Sequence, residues 1–145
     1  MSPELIFEPV INMLWLSLAV FAFGTTLRLK SIIIDKKSKE EDFKIPTFDS
    51  GGETIQNSQR NLTNLFEFPI FFYAVCIIIY VTGNVDGYFV LLATWFFWLR
   101  VAHTVTHIFY NKIIPGIAIP VRTLFWLPST IILGWMAYRA CSMMM

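Results

Sequence analysis

Four apolar stretches, each close to or above the length needed to cross a bilayer, take up most of this chain. They run from about Leu5 to Leu29, Leu62 to Thr82, Tyr88 to Tyr110 and Ile117 to Tyr138. A spanning helix needs about 20 apolar residues. A chain of 145 residues that spends itself this way is a single domain, residues 1–145. A soluble globule is excluded. Hydrophobic residues make up 56% of the chain and charged residues 14%, against roughly 45–50% and about 25% in soluble domains. That leaves too little charge to cover a water-facing surface. Disorder is excluded by the 17% of aromatic residues, which a chain without a core does not carry. The expected fold is all-α, a four-transmembrane-helix antiparallel bundle, because short links between spans favour antiparallel neighbours.

The connections set the expected orientation. Residues 30–59 hold most of the charge, with Lys30, Lys36, Lys37, Lys39 and Lys44 facing Asp35, Glu40, Glu41, Asp42, Asp49 and Glu53. Pro46 and Gly51-Gly52 mark this stretch as loop. The second connection, Gly83-Asn-Val-Asp-Gly87, is a tight turn by composition. The third, around Asn111 to Gly116, is short and carries Lys112. Lys and Arg gather on the cytoplasmic side of membrane proteins. The first and third connections are therefore expected there, with both termini on the non-cytoplasmic side. The start is acidic (Glu4, Glu8), which argues against a cleaved signal peptide. The Asn61-Leu62-Thr63 sequon falls at the cytoplasmic surface in this orientation and is expected to stay unglycosylated. A net charge of +1 offers no field for nucleic acid. Two cysteines, Cys76 and Cys141, make no disulfide framework, and Cys76 in an apolar run reads as packing.

Ionisable residues inside spans cost about 2.5–3.5 kcal/mol each at mid-helix and are usually functional or paired. Here their spacing is ordered. Arg60, Asn64 and Glu67 lie at i, i+4 and i+7 on the second span, one helical face. Arg100, His103 and His107 lie at i, i+3 and i+7 on the third. Arg122, followed by Thr123, opens the fourth, and Arg28 closes the first. In the expected topology all four groups fall at one depth, inside the cytoplasmic leaflet. Four placements at one level read as one site. Guanidinium groups grip carboxylates or phosphates, and Glu67 suits an ammonium. The set fits a small zwitterion with more than one carboxylate, such as glutathione, and equally a lipid headgroup or a phosphate ester. An isolated Arg60–Glu67 or Arg100–Glu67 pair would instead tie helices together. His103 and His107 have the spacing of a metal-binding helix, but Arg100 and Arg122 repel a cation, and no metal is expected.

As a set these residues resemble the MAPEG family, the membrane-associated proteins in eicosanoid and glutathione metabolism. Arg60-x-x-x-Asn64-x-x-Glu67 on a second span looks like the family signature. Arg100-Val-Ala-His103-Thr-Val and Pro120-Val-Arg122 are similar to its prostaglandin E synthase branch, and Thr26-Leu-Arg28-Leu matches loosely. The resemblance implies a homotrimer with glutathione as cosubstrate, lying between protomers near the cytoplasmic face. It assigns glutathione binding to Arg28, Arg60, Asn64, Glu67, Arg100 and His103, and places Arg122 near the sulfur. The implied chemistry is glutathione transfer, peroxide reduction or isomerisation on lipophilic small molecules, although one branch only binds lipid or partners. His107 stands where the prostaglandin synthase branch has a tyrosine, Thr123 replaces a serine, Trp126 another tyrosine and Thr63 an arginine. The expected activity is a membrane-bound glutathione-dependent transferase or peroxidase. Its chemistry would be carried by Arg122, which lowers the thiol pKa, with His107 and Thr123 beside it. The alternative is a non-catalytic lipid-binding or scaffolding protein using the same pocket.

Overall fold

The computed structural model describes all residues except Met1, Ser38, Glu40, Glu41, residues 43–48 and Ile117. The expectations for Glu40, Glu41, Lys44, Pro46 and Ile117 lie outside the described residues. After a 3-10 turn at Pro3–Ile6 the helices are α1 (Phe7–Ile33), α2 (Glu53–Glu67), α3 (Pro69–Val81), α4 (Gly87–Phe109) and α5 (Thr123–Met144). Pro3–Ile33, Glu53–Val81 and Gly87–Phe109 are each long and apolar enough to cross a membrane. α5 has 22 residues, also a spanning length, but Pro128, Trp135, Tyr138 and Arg139 make it more polar. The chain is thus an all-α four-helix bundle whose second member is broken into α2 and α3.

That break is made by proline. Pro69 has no N–H to continue the helical ladder. The preceding bond, from Phe68 N–H to the Asn64 carbonyl, is stretched to 3.4 Å. α2 also starts nine residues before the apolar run that marks its span. Its first turns are amphipathic rather than apolar, burying only Ile55, Ser58, Asn61 and Leu65. The 29 residues from Glu53 to Val81 measure about 43 Å at 1.5 Å per residue, against a hydrocarbon core of about 30 Å. The two helices together are thus longer than a bilayer crossing requires, and the polar residues of the surplus are at the start of α2. α5 starts later than its apolar run, at Thr123. The residues before it form a hairpin in which Ile114 N–H binds the Ile119 carbonyl and Val121 N–H the Lys112 carbonyl, both at 2.9 Å. Gly116 turns this hairpin with φ near 86°, a conformation open to glycine.

Contacts at the two ends establish the antiparallel order. At one end Phe7 meets Tyr80 edge to face at 4.6 Å. Beside them Asp86 caps α4 by accepting from Phe89 N–H at 2.8 Å and pairs with Arg139 of α5. At the other end Phe23 meets Phe109 at 5.7 Å. There α1 crosses α2 so closely that a Cβ on Gly24 would lie 3.0 Å from Ser58 Oγ. Between the ends Phe72 stacks on Phe96 at 4.4 Å, and Met13, Cys76, Ile79, Phe89 and Met136 fill the core. Cys76 is therefore a packing residue. Trp15, Phe71, Trp95, Trp98 and Ile131 point outward, as lipid-facing or oligomer-facing side chains do. In the first connection Asp42 accepts from Lys39 N–H at 2.7 Å and Ser50 N–H at 3.2 Å. The Lys39 bond above all holds its carboxyl below the ordinary carboxylate pKa.

Candidate functional site

Arg100 is the centre of the polar cluster. It sits two-thirds of the way along α4, on the face turned to α2, and its side chain is fully buried. Nη2 donates to the Asn64 carbonyl at 3.1 Å. That carbonyl is available because the Pro69 break has loosened its own helical bond. Nε and Nη1 have no hydrogen-bond partner. One turn on, His103 Nδ1 lies 3.0 Å from the Arg122 carbonyl. A carbonyl only accepts, so Nδ1 carries the hydrogen, and Nε2 of the neutral ring is an acceptor. This Nε2 is buried and unpartnered, as is His107 Nδ1. The two rings stand edge to face at 5.5 Å.

Asn61 completes the buried set. Its Nδ2 donates to Thr104 Oγ1 at 3.2 Å, while its Oδ1 has no partner. The sequence singles out Asn61 only as a sequon expected at the cytoplasmic surface, whereas the structure buries it completely; Thr104 does not stand out, because the Arg60, Asn64 and Glu67 face draws attention. The signal was present in the spacing Ser58, Asn61, Leu65, which is the stripe of α2 that faces inward. Arg122 is held from outside the bundle. It donates to Asn111 Oδ1, and Asn111 in turn reaches Asn57 of α2 at 3.4 Å. The third connection is thereby strapped to both α2 and α5.

A cavity of about 160 Å³ opens among Asn64, His103, His107, Arg122, Thr123 and Trp126. Five of these six are residues that the sequence marks as ligands or catalytic groups, and the sixth, Trp126, is the one that replaces a tyrosine. Arg60 and Glu67 lie on the same face of α2 as Asn64 but are exposed on the outside of the single chain. Arg28 is not brought to this cavity. It lines a second one, of about 140 Å³, with Gly24, Ser58 and Gln59. At 100° per residue, Asn64 is about 200° around α2 from Leu62, which also lines that second cavity. The two cavities therefore flank α2 on opposite sides. Among the described residues no three His, Cys, Asp or Glu side chains gather as a metal-binding group.

The arrangement is anion-loving and short of partners. Arg100 offers two free donor groups, Arg122 a cation at the mouth, and Asn61 and His103 one acceptor each. Buried polar atoms are nearly always satisfied in folded proteins, and an unmade buried bond costs about 1–3 kcal/mol. Of the five such atoms among the described residues, those of His103 and His107 belong to residues that line the cavity, and those of Arg100 and Asn61 are buried outside its lining. Comparison with curated proteins and with solved structures returns no match. The model of the MAPEG family matches residues 9–142, nearly the whole of this helical chain, and the chain belongs to the MAPEG family.

Proposed function

We propose that this site binds glutathione and supports its transfer, or the reduction of a peroxide, on a lipophilic substrate drawn from the bilayer. The observation that carries the reading is the cluster of unpartnered polar atoms on Asn61, Arg100, His103 and His107 beside the Arg122 cavity. A cavity of about 160 Å³ is close to one that holds a benzene-sized group. It has room for the thiol end of a tripeptide and not for the whole. The rest would lie outward over Asn64, toward Arg60 and Glu67. There a carboxylate can meet a guanidinium, and the amine can meet Glu67. Those residues face away from the single chain, which supports a homotrimer with glutathione between protomers. Arg28, on the opposite flank of α2, would then be supplied by the neighbouring protomer.

Arg122 has the position to hold a thiolate. It lies at the start of α5, where the helix dipole adds about 0.3–1 kcal/mol for an anion. Cations close to a thiol lower its pKa from about 8.5. Thr123 offers one hydroxyl hydrogen bond to the sulfur. His103 Nε2, an acceptor with no partner, can take the thiol proton, and His107 lies next to it. A phosphate-bearing lipid headgroup would also answer the donors of Arg100 and Arg122, which is the non-catalytic reading. The test is the ultraviolet thiolate absorbance of bound glutathione, together with a thiol-conjugation assay. Wild type should show the thiolate at neutral pH and turn over a lipophilic electrophile. Arg122→Leu should abolish the thiolate while some glutathione remains bound, and Thr123→Val should have the smaller effect. Bound glutathione without a thiolate signal above that of free glutathione from pH 6 to 8, about 0.5 to 2.5 units below the free thiol value, overturns the catalytic reading.

A further inference from the structure

We propose that a separate cavity, where α1 passes into the first connection, binds the phosphate-bearing headgroup of an anionic membrane lipid, with an acyl chain lying along the outer face of α1. The cavity encloses about 380 Å³ between the end of α1 and the start of α2. At roughly 30 Å³ per water, this is space for about a dozen water-sized groups. Lys30 and Lys37 line it, with Asp35 as the one carboxylate. The two ammonium groups lie on the wall itself, whereas the next carboxylate, Asp42, is already occupied by the N–H groups of Lys39 and Ser50. Among the described residues no carboxylate forms an ion pair with either lysine.

The remaining lining is suited to phosphate oxygens. Ser31 is 4% exposed and lines the cavity, and its hydroxyl has no hydrogen-bond partner among the described residues. Thr54 adds a further hydroxyl, while that of Ser50 is engaged by the Asp42 carboxylate. Gly52, which precedes α2, has no side chain to cap that helix, so first-turn N–H groups are left to find an acceptor. Phe23, Leu27 and Ile55 line the apolar part of the cavity. This ensemble belongs to none of the glutathione ligands proposed above.

A neighbouring groove supplies the reason to assign the phosphate to a lipid. It holds about 280 Å³ along Thr26, Leu29, Ile33 and Ile34, and Lys30 borders it as well as the polar cavity. Ile33 and Ile34 are 66% and 69% exposed. Ile33 ends the span that begins at Pro3 and Ile34 follows it, which is where the glycerol of a bound lipid would join its chains. One lysine thus stands where headgroup and acyl chain meet. Basic residues just beyond a span attract anionic lipid at about 1 kcal/mol each, or about fivefold per lysine.

The experiment uses the full chain in nanodiscs of phosphatidylcholine with added phosphatidylserine, read by native mass spectrometry of retained lipid. Wild type should retain phosphatidylserine in preference to phosphatidylcholine. Lys30→Gln/Lys37→Gln should weaken that retention about 25-fold, the product of two fivefold steps, with helix content by circular dichroism unchanged. Ile33→Ser/Ile34→Ser should weaken it too, whereas Lys112→Gln, on the third connection, should not. No preference in wild type, or full retention in the double lysine variant, overturns the proposal. So does competition by inorganic phosphate together with indifference to the isoleucine changes, which assigns the cavity to a free anion. The readout does not depend on glutathione, so it stands or falls separately from the reading of the α2–α4–α5 site.

Discussion

Replacing Arg100 by methionine separates a ligand site from a helix tie. Methionine keeps the unbranched, flexible stem of the side chain, ends short of the guanidinium, and removes every donor. In the unliganded protein Arg100 makes one bond, to the Asn64 carbonyl, and leaves Nε and Nη1 unpaired. The lost bond is worth about 1.5–3 kcal/mol, since the donor is charged. The relieved penalty is about 1–3 kcal/mol for each of the two unpaired groups. The centre of these ranges, about 4 less about 2, leaves about 2 kcal/mol in favour of Arg100→Met, part of which the space vacated by the guanidinium takes back, so without ligand the variant is at least as stable as wild type. The Asn64 carbonyl keeps its bond from Phe68 N–H, so no new orphan is created. Buried ionic groups replaced by apolar ones often show this sign. Thermal unfolding in detergent, with and without glutathione, gives both readouts. The unliganded variant should melt at or above wild type, and glutathione should stabilise wild type and not the variant. An unliganded variant that melts well below wild type, with glutathione inert toward both, would mean that Arg100 is a structural tie.

Other outcomes follow from the same structure. Asp86→Ala removes the cap on Phe89 N–H and the partner of Arg139. A lost cap costs about 1 kcal/mol and a part-exposed pair up to about 1 kcal/mol, so urea or thermal unfolding should show a loss of about 1–2 kcal/mol with glutathione binding intact. Labelling of single cysteines at Lys37 and Val85 should report opposite sides of the membrane, with position 37 cytoplasmic. Lowering pH should loosen the first connection. Because the Asp42 carboxyl is held below the ordinary aspartate value of 3.8, its contribution is whole above that value and lost as pH falls through the lower folded one. Hydrogen exchange at Lys39 and Ser50 should rise over that acid range, and Asp42→Asn should remove the pH dependence.

Much of the bundle was legible in the chain because, in a bilayer, apolar length outweighs every other local preference. The four stretches specified the number and order of the bundle's members, and the in-span charges marked one end as special. The boundaries were less legible. The start of α2 is amphipathic and invisible to an apolar-run reading, and the Pro69 break divides what reads as one continuous stretch. The Ile113–Pro120 hairpin delays α5 to Thr123 because Gly116 and two prolines favour a turn over a helix start. In the site, helical spacing correctly placed Arg100, His103 and His107 on one face. It did not separate the two flanks of α2, so Arg28 was grouped with residues that a single chain keeps about half a turn away. As part of a sequon, Asn61 was expected at the surface, although its amide is buried between exposed Arg60 and half-buried Leu62. Those distinctions depend on which side of α2 receives α1 and which receives α4, a matter of packing that no local spacing encodes.

Calorimetric titration of glutathione into the purified chain, beside the same titration of Glu67→Gln, tests the central claim most directly. Glu67 lies exposed on the Arg60–Asn64 face of α2, and the substitution keeps its shape while removing the charge proposed to meet the ammonium. A charge-assisted bond is worth about 1.5–3 kcal/mol, so wild type should bind saturably and Glu67→Gln at least several-fold more weakly. Absence of saturable binding in wild type would contradict the assignment of the site to glutathione, and equal affinity in the two proteins would remove Glu67 and its face of α2 from it.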